Sequence, residues 1–138
     1  MIRLKQDRHM SRFMAIMAWT ERELGRNNEK RVVAAFTHDY PYTSRIPWIH
    51  QVRHGTRTED LYGCIDVVFE TDVGPIYFQI KSSENARAEF VESQAAGLTK
   101  QDIIAVFINP SFDSKKICGI ITPLLTVERR RKTEANIG

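Results

Sequence analysis

Only two of the 138 residues are cysteines, Cys64 and Cys118. Two are too few for a disulfide framework, and neither has neighbours at zinc-ligand spacing. They read as two reduced thiols. No apolar run approaches the roughly 18 residues that a membrane span needs. The basic start, MIRLKQDRHMSRFMAIMAW, lacks the unbroken apolar core of a signal peptide, because Arg12 interrupts it and Thr20-Glu21-Arg22-Glu23 follows. These absences lead to the expectation of a cytoplasmic protein that makes no use of a membrane. No repeat, low-complexity tract or Pro/Gly/Ser linker divides the chain, so one domain over residues 1–138 is expected. The balance that remains, 42% hydrophobic and 27% charged, is that of a chain able to build an ordinary core.

Charge is unevenly spread. The first 31 residues carry eight Lys/Arg against four Asp/Glu, and residues 115–138 carry six against two. Residues 32–114 carry six against eleven, a net of −5. Basic ends around an acidic centre could hold a polyanion at the edges and a cation in the middle, or could be uneven solvation of a surface.

The expected elements follow from spacing. Ser11 could cap a first helix with Phe13, Met14, Met17 and Leu24 near one face, and Asn28 could cap a second over Glu29 to Phe36. Tyr40-Pro41-Tyr42 reads as a loop, Ile46 to His54 as a strand and the polar Gly55 to Tyr62 as a loop. Cys64 to Thr71 and Ile76 to Ser82 form a hairpin around Asp72-Val73-Gly74-Pro75. Glu84 to Leu98 is an expected helix. Asp102 to Asn109, DIIAVFIN, has the continuous apolar character of a central strand buried on both faces. Lys115 to Ile121 reads as a further short strand, and Thr122-Pro123 as the cap and first position of a last helix. The order α-β-β-β-α-β-β-α points to an α/β domain with a mixed sheet flanked by helices.

Polar residues stand out in the hairpin GCIDVVFETDVGPIYFQIKSS. Strand alternation puts Ile65, Val67, Phe69, Phe78 and Ile80 on one apolar face, which must be core. Asp66, Val68 and Glu70 share the other face with Tyr77, Gln79 and Lys81. A loop at residues 72–75 would set Asp66 opposite Lys81 and Val68 opposite Gln79. Buried polar groups are costly unless paired or used. Glu29 adds to the set, because Val32, Val33 and Phe36 lie three, four and seven residues on and turn it toward the packed side of its helix. A first-turn acid favoured by the helix dipole is the plain alternative. Two carboxylates and an amide oxygen are hard ligands that suit Mg²⁺. A nearby lysine could orient or deprotonate a water, or offset charge on a phosphate.

Asp66, twelve residues, then Gln79-x-Lys81, after a helix bearing Glu29, resembles the PD-(D/E)xK nuclease superfamily. The preceding EDLYGCID is similar to the acid-x-x-Gly-x-x-Asp lead-in of some members. The resemblance spans about residues 28–109. It implies the restriction-endonuclease-like fold, with core order α-β-β-β-α-β and here a C-terminal strand and helix appended. It also implies divalent-metal-dependent cleavage of nucleic acid, by a restriction-like or Holliday-junction-resolvase-like member. Asp66, Gln79 and Lys81 would form the catalytic site, with Glu29 as accessory ligand. Mg²⁺ is the implied cofactor, with Mn²⁺ able to substitute. Two positions depart from the pattern: residue 65 is Ile rather than Pro, and residue 79 is Gln rather than the usual acid. A neutral ligand binds metal more weakly, so a catalytically inactive nucleic-acid-binding or assembly module is the alternative.

Other residues take functional or plain readings. His50, Arg53, His54 and Arg57 could grip a phosphate backbone or be ordinary surface groups. Ser82 could contact phosphate or, with Ser83, cap the next helix. Gln94, on a stripe with Phe90, Val91 and Leu98, could reach the site or bond the backbone. Asp60 could assist a metal or cap a loop. Trp19 and Trp48 could stack on bases or sit in the core. Arg129 to Lys132 could clamp DNA or be a solvated helix end. The expected partner is DNA, with RNA also open. A homodimer acting on two strands would suit so small a nuclease.

Overall fold

Val32, Ala35 and Phe36, at i, i+3 and i+4, give the helix that precedes the sheet its buried side. A computed structural model describes residues 12, 15–16, 27–39, 46–96 and 102–137. Helix α1 spans 27–34 and continues into a π-helical turn, Ala35–Asp39. It is followed by β1 (Ile49–His54), α2 (Arg57–Gly63), β2 (Val67–Thr71) and β3 (Gly74–Lys81). Then come α3 (Glu84–Ala95), β4 (Ile103–Phe107) and α4 (Ser114–Ile137). Arg12, Ala15 and Ile16, within the expected first helix, are helical; Ser11 as its cap, Phe13, Met14, Met17, Leu24, Trp19, the Tyr40-Pro41-Tyr42 loop, and Gly97 and Leu98 lie outside the described residues.

The chain is a single small α/β domain, with a four-stranded mixed sheet flanked by helices, as expected. The strand order is β1-β2-β3-β4. The first three strands are antiparallel neighbours, and β4 runs parallel to β3. Parallel neighbours need a crossover, and α3 supplies it. Apart from α2, the described order up to β4 is α-β-β-β-α-β.

One face of the sheet carries the main core. Val67, Phe69, Phe78 and Ile80 meet Val32, Ala35 and Phe36 of the first helix and its π turn, and Ile117, Cys118, Ile121 and Leu125 of α4. Phe69 makes edge-on ring contacts with Phe36 at 5.0 Å and Phe78 at 5.1 Å. The opposite face is covered by α3, whose Phe90 packs with Val68 and Ile103, flanked by Tyr77 and Ala105.

Five expectations need correction. The hairpin turn is tighter than a loop at 72–75: Thr71 pairs with Gly74 and Val68 with Tyr77. The Thr71 hydroxyl bonds the Gly74 carbonyl at 2.7 Å and accepts the Val73 N–H, and Gly74 has φ +97, a region that side-chain-bearing residues rarely adopt. The pairing therefore shifts by two residues. Two is even, so the strand residues keep their faces.

Ile65 packs with Val68 and Phe90 rather than with Val67 and Phe69. Cys64 is left-handed (φ 57) and ends α2, so β2 begins only at Val67 and strict alternation does not extend back across 64–66.

Residues 57–63 are helical, not loop. Thr56 accepts the Glu59 N–H at 3.1 Å while the Glu59 carboxylate accepts the Thr56 N–H at 2.8 Å, a capping box that starts the helix.

Residues 115–121 are not a strand; they open α4, which runs through Pro123. Ile117, Cys118, Ile121 and Leu125 form one buried stripe at helical spacing. Burial of that stripe overrides the β-branched composition and the cost of an interior proline, about 3 kcal/mol.

Finally, β4 stands at the end of the strand order among the described strands, not at its centre, although helices cover both its faces. On β1, a register irregularity between Ile49 and Gln51 lets Ile49 and Val52, three residues apart, both turn inward.

Candidate functional site

The open end of the β2–β3 hairpin is built around Asp66. Three hydrogen bonds fix it. Its N–H donates to the Phe78 carbonyl at 2.9 Å, its carbonyl accepts the Gly55 N–H at 2.8 Å, and its Oδ2 accepts the Ile80 N–H at 2.8 Å. The side chain thus takes the place of a backbone carbonyl where the two strands part. Gly55 is required at this corner: a Cβ there would lie 2.2 Å from the Ile65 carbonyl oxygen.

Helix α1 brings Glu29 to the same point. Asn28 is buried, and its Nδ2 donates to the Ile108 carbonyl at 3.1 Å. Arg31 donates to Asn28 Oδ1, to the Asn109 carbonyl at 3.2 Å and to the Phe112 carbonyl. Ile108 in turn donates its N–H to the Lys81 carbonyl at 2.9 Å. The start of α1 is therefore tied to the segment that follows β4, and through it to the end of β3. Asn28 and Arg31 were not singled out from sequence for this task. The signal was present only as polar residues at i and i+3 flanking the Glu29 stripe, which is common on helices.

The consequence is a meeting of two carboxyls. Asp66 is 8% exposed and hydrogen-bonded to Glu29. Burial pushes the Asp66 carboxyl up to about 6. The Ile80 N–H pulls it back, Asp60 pushes it up through space, and the Glu29 bond and the Lys81 charge pull it down. Two acids in hydrogen-bond contact share a proton at one of their oxygens.

Gln79 and Lys81 follow on β3. Gln79 aligns with Ala105, and Tyr77 with Ile103, so this face of β3 is the one under α3. The Gln79 Oε1 is buried and has no hydrogen-bond partner. Lys81 is half-buried, with its Nζ 5.3 Å from the centroid of the Phe90 ring. The structure therefore joins Glu29 and Asp66 directly and sets Lys81 and Asp60 within electrostatic reach. Asp60 is exposed within α2, whose cap is Thr56, so it is not a loop cap.

Two carboxyls and an amide oxygen are by chemical type the donors a hard divalent cation takes. A buried oxygen without a donor is the state expected of a ligand, since leaving it unsatisfied costs about 1–3 kcal/mol. Among the described residues no three His, Cys, Asp or Glu side chains gather as a metal site. The acids are a pair, and Gln79 would be the third oxygen ligand.

The other candidates make contacts of their own or stand exposed. Arg53 is spent on Glu59 at 2.7 Å and Glu70 at 3.1 Å, which hold its guanidinium above its ordinary value. Glu59, held by Arg53 and the Thr56 N–H, falls to about 2. His50, His54 and Arg57 are exposed on β1 and α2. Ser82 is exposed, and Ser83 caps α3 by accepting the Ala86 N–H at 3.1 Å. Gln94 is corrected to a structural amide: its Nε2 donates to the Ile103 carbonyl at 2.6 Å and its Oε1 accepts the Ile103 N–H at 2.9 Å, docking α3 on β4.

Trp48 packs at the core margin with the Arg129 guanidinium over its ring at 5.0 Å. Arg129 pairs with Asp72, Arg131 with Glu128 and Asp102, and Lys132 with the Pro75 carbonyl. Most of that basic run is thus bracing α4 against the hairpin and the start of β4. No helix among the described residues is long and apolar enough to cross a membrane. Neither cysteine is bridged. No family model, curated protein or solved structure matches the chain.

Proposed function

We propose that the chain is a divalent-metal-dependent nuclease that hydrolyses phosphodiester bonds of DNA, and that it acts internally on the strand. The observation that carries this reading is the hydrogen-bonded Glu29–Asp66 carboxyl pair, with Asp66 buried, at the open end of a hairpin that also carries Gln79, whose buried Oε1 has no partner among the described residues. Mg²⁺ is the cofactor whose chemistry suits three hard oxygen donors, and Mn²⁺ would substitute. Bound there, it would supply Lewis-acid polarisation of the phosphate and offset its charge.

The protein's own groups have separate tasks. Asp66, anchored by the Ile80 N–H, presents a carboxylate in a fixed orientation. Glu29, in hydrogen-bond contact with Asp66, would add oxygens for ligation. Lys81 Nζ, held over the Phe90 ring, would orient a water for attack on phosphorus and favour the transition-state charge. A reducing, cytoplasmic setting suits two unbridged thiols.

Purified chain should cut plasmid or branched DNA with Mg²⁺ or Mn²⁺ and not with EDTA. Asp66→Ala and Lys81→Ala should each abolish cutting while circular dichroism shows the fold intact. DNA binding without cutting by the wild-type chain would favour the inactive-module alternative, in line with the neutral residue at 79. Cleavage of RNA but not DNA would redirect the substrate.

A further inference from the structure

We propose that the open cavity between α1 and the start of α4 seats a backbone phosphate of the nucleic-acid strand beyond the scissile one, held by Lys30 and Arg31. The cavity measures about 380 Å³ and is lined by Lys30, Arg31, Ala34, Phe112, Asp113 and Ser114. Arg31 is half-buried, and its three hydrogen-bond partners are two carbonyls and an amide oxygen. All are neutral, so its charge is oriented but not cancelled. Lys30 is exposed on the adjoining wall, and Lys116 lies over the Phe112 ring at 5.7 Å, adding a third cation near the rim. The one lining carboxylate, Asp113, accepts the Lys116 N–H at 2.8 Å and so faces the start of α4. A guanidinium and an ammonium around an open hollow are the donor set for a phosphate.

Position selects a nucleic-acid strand over a free anion. Lys30 follows Glu29 directly, and Arg31 bonds the segment just after β4. Cavity and carboxyl pair therefore draw on consecutive residues of α1. A strand whose scissile phosphate sits at Asp66 would carry its next charges past Lys30. This inference rests on the nuclease reading for the path of the strand.

The test is equilibrium binding of a fluorescent DNA duplex in EDTA, titrated with salt. One phosphate contact contributes a slope of about 0.9, or about eightfold in affinity per tenfold change in salt. Lys30→Ala should weaken binding about eightfold at 0.1 M relative to its effect at 1 M and lower the slope by about one. Lys30→Glu should weaken it further. Arg130→Ala removes equal charge about 24 Å along α4 from Ser114, beyond the screening length of about 10 Å, and should bind as wild type. Unchanged affinity in Lys30→Ala, or an equal loss in Arg130→Ala, overturns the site. So does stabilisation of wild type by millimolar inorganic phosphate with no Lys30 effect on duplex binding. A Lys30-dependent duplex affinity in a chain that never cleaves would support the phosphate seat and refute the nuclease reading. Cleavage with no Lys30 effect would do the reverse.

Discussion

Asp66→Asn should make the metal-free protein more stable while removing its response to metal. The reasoning starts from the Asp66 carboxyl, which rises from 3.8 to about 6 on folding, mainly by burial. Each unit corresponds to about 1.4 kcal/mol, so holding the anion in the folded state costs up to about 3 kcal/mol at pH 8. The sign follows from proton counting. Between pH 4 and 6 the folded state keeps a proton that the unfolded state has released, so wild-type stability falls as pH rises through that window and is level above it. Asparagine keeps an oxygen for the Ile80 N–H and offers Glu29 an N–H donor, without the charge.

The gain expected at pH 8 in EDTA is about 1–3 kcal/mol, or roughly 3–5 °C of melting temperature per kcal/mol. It should shrink toward zero near pH 4. Thermal melts of both proteins across pH 4–8, with EDTA and with 10 mM Mg²⁺ as added ligand (roughly the regime where mass action becomes visible), supply the check. Wild type should gain stability from Mg²⁺ above pH 6 and the variant should not. If the variant melts lower than wild type at pH 8 in EDTA, or if the difference does not change with pH, the buried carboxylate is not under the strain inferred here.

Further outcomes follow from neighbouring groups. Gln79→Glu should tighten Mg²⁺ binding at least about tenfold, because a third carboxylate replaces a neutral oxygen. The same change should lower metal-free stability at pH 8; calorimetric titration and melts together read both. Gly55→Ala should cost about 2–4 kcal/mol in chemical denaturation, since the added Cβ meets a backbone carbonyl at 2.2 Å that cannot easily withdraw. The Glu59 carboxylate, lowered to about 2 mainly by Arg53, contributes stability that is present above its ordinary 4.5 and fades as pH falls toward 2. With solvent screening that contribution is under about 1 kcal/mol, and Glu59→Gln should remove it and flatten the acid limb of the stability curve. An unchanged acid limb in that variant would count against the Arg53 pairing.

Much of the architecture could be read from local pattern. Alternation in 67–71 and 76–80 placed Phe69, Phe78 and Ile80 in the core, and the apolar run at 103–107 is a strand. The signal for α2 was also present, as Thr56 with Glu59 three residues on, but the polar composition of 55–62 masked it. The stretch 115–121 misled because isoleucines satisfy both periods over a few residues. Only the extension to Leu125 distinguishes a helix from a strand.

At the candidate site, residue types and spacing in the chain alone nominated Glu29, Asp66, Gln79 and Lys81, because alternation and helical periodicity act over a few neighbours. Folding decided what those residues meet. The Glu29–Asp66 contact, the bond from Ile80 N–H to Asp66 Oδ2, the unpartnered Gln79 Oε1 and the tethering of α1 by Asn28 to Ile108 join positions up to 80 residues apart. Local propensity carries no information about such distances. They are set when the sheet closes and the helices settle on its faces, and the same packing fixes the burial that raises the Asp66 carboxyl.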